Sequence, residues 1–289
     1  MKKYITGETK AERKERKNAT KGRRPVDKSI TPVEQPAITH ATPDPTGKYY
    51  VVCLKWGDKY GPEYVNKLYR MVQRNLTVDH EFICFTENSL GIVPEVEIQK
   101  LPELSLPNGS PERGWRKLTV FKKNFGGLSG PTLFLDLDVV IVGNLDVFFS
   151  QPGDFLIAHD KKNPKKREGN SSVFRFEIGK YPQILEYFEN NSEQVKNEVR
   201  HEQAFLSREI DKLGKLEFWP DEWVPSFKYK CCPSWAKSWF VAPSIPKGAR
   251  VILFHGLPNP PEAIEGRSGK WYRHIQPSPW INDYWIRNK

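Results

Sequence analysis

The order of apolar runs predicts an α/β domain, and three observations carry that reading. Residues 49–54 read YYVVCL, an unbroken apolar stretch of the length of a strand buried on both faces, and 81–86 read EFICFT, strand-like around its apolar centre 82–85. Between them Val65, Leu68, Tyr69, Val72 and Leu76 recur at helical spacing, behind Pro62 at the first-turn position that proline tolerates. Further along, LFLDLDVVIV from residue 133 and VILFHG at 251–256 are again strand-like.

The elements are taken in chain order. Residues 1–47 are expected to be a disordered basic extension: 8–28 is charged without a periodic apolar face, and Pro32, Pro36, Pro43 and Pro45 break any regular structure up to residue 47. Residues 48–289 are expected to form a single domain. After the first strand comes the loop KWGDKYG, then the Pro62 helix and the second strand. A strand is expected over 93–101, a helix over 113–124, and a strand after Pro131 that carries Asp136 and Asp138. Residues 154–160 and 171–177 are two more strands joined by a basic loop, and 181–188 and 202–210 are helical. The strand at 251–256 ends in His255, and the loop-rich tail after Pro258 is expected to pack back through Trp271, Trp280 and Trp285. No internal repeat is visible.

The net charge of +10 is uneven: residues 1–30 hold 11 basic and 4 acidic side chains, the rest of the chain 34 and 31. The extension is suited to touch a polyanion, while the body has no surplus for one. No zinc, helix-turn-helix or RNA-recognition signature accompanies it. Cys53, Cys84, Cys231 and Cys232 lack metal-ligand spacing, and the first two sit in apolar runs as small hydrophobes, which indicates a reducing, cytoplasmic setting. No run reaches the roughly 18 apolar residues of a membrane span, and no signal peptide is recognisable.

Asp136 and Asp138 are one residue apart, so on a strand both point to one face. Two carboxylates on a buried strand repel unless a cation lies between them, and hard oxygen ligands suit a divalent one. The other reading is a pair at a solvated strand end, bonded to backbone amides. In an α/β sheet ligands collect at the carboxyl ends of strands, where His255 is also expected. Two Asp and a neutral His suit Mn²⁺. A phosphatase of the haloacid dehalogenase type also places D-x-D after an apolar strand, but Asp138 is followed by Val139-Val140 rather than Gly-Thr.

With WRKL (115–118), LFLDLD (133–138), NSSV (170–173) and FHG (254–256) in that order, the chain resembles the retaining, metal-dependent glycosyltransferases of glycogenin type, family 8, and their bacterial and viral relatives, over about residues 49–262. The resemblance implies the GT-A nucleotide-diphospho-sugar transferase fold, a mixed central sheet flanked by helices. It implies that Asp136, Asp138 and His255 hold Mn²⁺ (or Mg²⁺) against the diphosphate of a nucleotide sugar, most often a UDP-hexose. Leu54, Trp56 and Tyr60 would pack on the nucleobase, Leu137 would line the donor site, and Lys117 would lie near the phosphates or sugar. Asp160, Asn170, Glu202 and Gln203 would face the donor sugar as catalytic residues. Each has a plainer alternative: Tyr60 packing on its neighbours, Lys117 on a solvated helix face, Asp160 and Asn170 in turns. Relatives usually carry Asp-Gln where this chain has Glu202-Gln203, and Asn259 stands where they carry a lysine after His-Gly. Lys117 or a basic residue of 161–167 is the candidate to restore that charge. Retention is implied by the resemblance alone, and the acceptor is left open among glycan, protein and modified nucleic acid.

Overall fold

The structure is a computed structural model that describes residues 47–107, 112–160 and 166–285. The basic extension up to residue 46, with its expected polyanion contact, and residues 161–165 of the basic loop lie outside the described residues.

Strand β1 (Tyr49–Lys55) is buried along its whole length because both its faces are covered. Alternate side chains serve different cores: Val51 and Cys53 face one layer, Tyr50, Val52 and Leu54 the other. Helix α1 (Pro62–Asn75) returns over the first layer and buries Val65, Leu68, Met71 and Val72 there. Parallel pairing with β2 (His80–Thr86) completes the expected strand–helix–strand unit, and β2 pairs in turn with β3 (Glu97–Lys100). That last strand is shorter than the expected 93–101, because only four residues find a partner at the sheet edge.

Residues Arg113–Phe121 form a 3₁₀ helix rather than an α-helix. Trp115, Leu118 and Phe121 are buried at intervals of three, the repeat of a 3₁₀ turn. Strand β4 (Pro131–Leu135) pairs parallel to β1, and β5 (Val140–Ile141) comes next. After these lie α2 (Asp146–Ser150), β6 (Phe155–His159) and β7 (Gly169–Glu177), the last running antiparallel to both β4 and β6. Helices α3 (Pro182–Asn190), α4 (Ser192–Glu198) and α5 (Glu202–Lys212) precede β8 (Leu216–Phe218). The main sheet has the order β3-β2-β1-β4-β7-β6-β8 and is mixed, as expected. Its second face is covered by the 3₁₀ helix with α3 and α5, through Trp115, Ile184, Phe188 and Phe205.

One buried cation ties the middle of the sheet to its flank. The Arg175 guanidinium on β7 donates to the carbonyls of Phe148, Phe149, Gln151 and Gly153 at 2.8, 3.1, 2.7 and 2.5 Å, closing the end of α2.

The strand expected at 251–256 is only β9 (Val251–Ile252), paired with β5 in a separate two-stranded ribbon. Leu253 continues it only as a single parallel bridge to Ser226, and Phe254, 2 % exposed, is buried without pairing, so the end of the apolar run reports burial more than pairing. The tail forms α6 (Pro260–Ile264) and α7 (Trp280–Trp285). Trp285 is buried and Trp280 half-buried as expected, but Trp271 is 96 % exposed and does not pack back. All four thiols are free, with Cys53 and Cys84 buried side by side in the β1–β2 register. Among the described residues no helix is long and apolar enough to cross a membrane.

Candidate active site

Asp136 and Asp138 are not on a strand. β4 ends at Leu135, and the two carboxylates lie in the turn beyond its carboxyl end. The β4–β7 ladder stops at Leu135 opposite Val173, and Asp136 N–H makes one more bond, to the Ser172 carbonyl at 2.9 Å. That bond fixes the turn against β7.

The turn forms part of a cleft of about 450 Å³ at this end of the sheet. Leu54, Trp56 and Tyr60 reach it from the end of β1 and the loop after it, and Lys117 from the 3₁₀ helix. Asp136, Leu137 and Asp138 come from the turn, Asn170 from β7, Glu202 and Gln203 from the first turn of α5, and His255 from the segment after β9. Of the residues singled out in the sequence, only Asp160 lies outside it. Asp160 lines a smaller adjoining cavity of about 40 Å³ that shares Asn170 and His255 with the cleft. It accepts a hydrogen bond from Gln203 Nε2 at 3.0 Å, and so touches the cleft through that amide.

Lys117 is not on a solvated face. Its ammonium is buried, 2.8 Å from Asp136 Oδ1, 3.0 Å from the Ser171 carbonyl and 3.7 Å from Glu202 Oε1. Burial by itself would lower its pKa; Asp136 and then Glu202 outweigh that and hold it above the ordinary lysine value. Ser171 Oγ donates to Glu202 Oε1 at 2.5 Å, so lysine and serine together orient that carboxylate.

Asp138 is only 7 % exposed, and the Tyr60 phenol donates to its Oδ2 at 2.6 Å. Burial, and next the neighbouring Asp136, push its carboxyl up to about 6, with the Tyr60 bond pulling the other way. The Tyr60 phenol is raised in turn by its own burial and by Asp138. The Tyr60 ring packs 4.7 Å from Tyr64, with Lys59 Nζ 4.5 Å from its centroid, so the packing alternative holds for the ring while the hydroxyl serves Asp138.

His255 Nε2 lies 2.7 Å from Ser226 Oγ. Asn170 Oδ1 accepts from Ser172 N–H at 3.0 Å, the turn-forming role left open for it, while it also lines the cleft. Asn259 caps α6, its N–H donating to Glu262 at 3.0 Å. Arg167 of the basic loop is paired with Asp211 at 3.0 Å.

The fit to a divalent cation is partial. The donors are of the right chemistry, and a buried Asp138 beside Asp136 is an excess of negative charge that a cation would relieve. Among the described residues, however, no three acidic, histidine or cysteine side chains converge into a ligand set. Asp136 is engaged by Lys117 and His255 by Ser226, so the carboxylate pair fits and the imidazole has to exchange its partner.

Some cleft residues escape the sequence reading. Lys59 supplies positive charge beside Tyr60, and Ser171 holds Glu202. Gly114 lets the 3₁₀ helix approach α5, since a Cβ there would meet Glu202 Oε2 at 2.9 Å. The only signal for the last two is their place beside W-R-K-L and within N-S-S-V.

This sheet order with a cleft at the carboxyl end of β1 and β4 is the GT-A fold of glycosyltransferases. The chain is similar to the apo form of the glycosyltransferase GlyE of Streptococcus pneumoniae TIGR4, at 12 % identity and a TM-score of 0.52, over 74 % of this chain and 56 % of that one. It therefore spans little more than half of GlyE. It is also similar to the galactosyltransferase LgtC in complex with donor and acceptor sugar analogs, at 14 % identity and a TM-score of 0.51, over 77 % of this chain and 91 % of that one. At these identities the likeness is one of fold. No protein-family model matches the chain, and no curated protein matches it by sequence.

Proposed function

We propose that the chain transfers a hexose from a nucleotide sugar, with UDP-hexose as donor, to a glycan, protein or modified nucleic acid, with retention at the anomeric carbon. The observation that carries this is the meeting of Asp136, Asp138, Lys117, Asn170, Glu202 and Gln203 in one cleft of a glycosyltransferase fold. The LgtC structure is a complex with donor and acceptor sugar analogs. A cleft of about 450 Å³ lined by both aromatic rings and carboxylates suits a ligand with a flat base at one end and a charged diphosphate.

Leu54, Trp56 and Tyr60 form the apolar wall for the base. Asp136 and Asp138, joined by His255 once its ring leaves Ser226, would hold Mn²⁺ or Mg²⁺. Such an ion, when bound, supplies Lewis acidity at the leaving diphosphate. Lys117 keeps Asp136 and Glu202 in place and offsets part of their charge. Among the described residues Lys59 is a further cation lining the cleft. Glu202, Gln203 and Asn170 offer carboxylate and amide oxygens to an anomeric carbon that gains positive charge as its bond to the diphosphate breaks. Asp160 acts one step back, orienting the Gln203 amide.

Isothermal titration of UDP tests the reading, with and without Mn²⁺ and on Asp138→Ala. Metal-dependent binding that is lost in the variant is expected, and after it a donor screen through UDP release and assignment of the product anomer by NMR. Absence of UDP binding under every metal condition refutes it.

A further inference from the structure

The cleft leaves unexplained a second surface, built from two loops. Trp235, Phe240, Trp271 and Tyr272 are 69, 88, 96 and 54 % exposed, with Val241 beside Phe240 at 49 %. Single exposed apolar side chains are ordinary, but a group of large aromatics is not. The loops are held together. Trp239 stacks on His274 at 4.1 Å, His274 Nδ1 lies 2.8 Å from the Ser238 carbonyl, and Gln276 Nε2 donates to the Trp239 carbonyl at 2.6 Å. Trp280 Nε1 adds a bond to the Pro243 carbonyl at 2.9 Å. The exposed rings therefore sit on a braced backbone.

Charge gathers at the same place. Residues 227–250 carry five basic and no acidic side chains, and 266–276 carry three and none, while residues 31–289 as a whole are close to balance at 34 against 31. Lys228 and Arg273, one from each loop, both lie near Cys232, where they oppose the upward push of burial on its thiol.

We propose that this surface seats the protein on an anionic lipid bilayer, the aromatic side chains entering the headgroup region and the lysines and arginines meeting lipid phosphates. Exposed Trp, Tyr and Phe among an excess of Lys and Arg, with Glu265 paired to Arg267 and Glu222 against Gly248 as the acids at its edge, is the composition of an interfacial contact. Single-stranded nucleic acid also takes rings and cations, but through stacking of flat faces. Val241 and Leu257, 49 and 44 % exposed, add aliphatic bulk that favours hydrocarbon. The surface runs up to the cleft: Tyr229 lies 5.5 Å from the His255 ring, the Lys228 ammonium donates to the His255 carbonyl, and a Cβ on Gly269 would meet Leu257. A bilayer seated there lies beside the His255 wall of the cleft. This inference does not depend on the sugar-transfer reading.

Co-sedimentation of the full chain with vesicles tests it, comparing phosphatidylcholine alone with phosphatidylcholine mixed with phosphatidylglycerol. The mixed vesicles are expected to bind, and the double variant Phe240→Ser/Trp271→Ser to bind them at least about tenfold more weakly. The basic N-terminal extension is present in both proteins, so its own attraction to anionic lipid cancels. Should that variant not fold, Lys237→Glu/Lys270→Glu alters only exposed charges and carries the same expectation. Equal vesicle binding by wild type and folded variant overturns the proposal. So does a loss confined to a single-stranded oligonucleotide with vesicle binding unchanged, which assigns the surface to nucleic acid instead.

Discussion

Replacing Lys117 by methionine keeps most of the side chain's length and removes its charge. The native side chain is 8 % exposed, and its ammonium compensates Asp136 at 2.8 Å and Glu202 at 3.7 Å. Removing one partner of a buried ion pair costs about 3–5 kcal/mol, because the other charge stays behind without compensation. The Asp136 and Glu202 side chains keep 25 and 13 % exposure, so water returns part of that, and a loss of about 3 kcal/mol is expected. For a chain of this size that is a fall of roughly 6–12 °C in Tm. The assay is thermal or urea unfolding in EDTA at pH 8 and pH 5. Stability contributed by the raised Lys117 pKa is fully present at both values, since both lie below the unfolded lysine pKa. In the variant Asp138, held up at about 6 by burial and Asp136, loses the opposing Lys117 charge and is raised further, so stability missing at pH 8 returns as pH falls. The loss is therefore expected to be smaller at pH 5. A loss equal at both pH values, or below about 1 kcal/mol, would show that Lys117 does not compensate the cluster.

The same geometry sets three other outcomes. The Asp138 carboxyl is raised to about 6, so it withholds stability as pH rises from the unfolded value through 6; Asp138→Asn in EDTA is expected to gain about 1 kcal/mol at pH 8 and nothing at pH 4, read by urea unfolding. Tyr60→Phe removes the hydroxyl that occupies Asp138 Oδ2, and Mn²⁺ titrated without nucleotide is expected to bind several-fold more tightly than to wild type; equal or weaker binding counts against competition for that oxygen. Arg175→Leu leaves the carbonyls of Phe148, Phe149, Gln151 and Gly153 without their donor and is expected to cost about 3 kcal/mol or more in denaturant unfolding, with little effect on UDP affinity.

The strand–helix–strand start was legible because each element there carries its own period. β1 is apolar throughout since both faces are covered, and α1 repeats Val65, Leu68 and Val72 on one face. Apolar pattern measures burial, however, and pairing needs a partner that the pattern does not name. Hence 251–256 reads as a long strand, although only Val251 and Ile252 form a ladder, Leu253 makes a single bridge to Ser226, and Phe254 is buried without pairing. Likewise Asp136 and Asp138 continue an apolar run but fall past the last β4–β7 pair. Trp271 was expected to pack inward from its composition alone, and nothing local could report its exposure.

By itself the sequence determined the α/β class, the order of the main elements and the residue types that line the cleft, because these come from local periodicity and from motifs of a few residues. The tertiary structure decided what each polar side chain is bonded to. Tyr60 reaches Asp138 across 78 residues, Lys117 reaches Asp136 across 19, and Ser226 reaches His255 across 29. Such pairs cannot be read along the chain. A buried charge takes whichever partner the folded backbone brings within hydrogen-bond distance, and the cost of leaving it alone is what selects that partner.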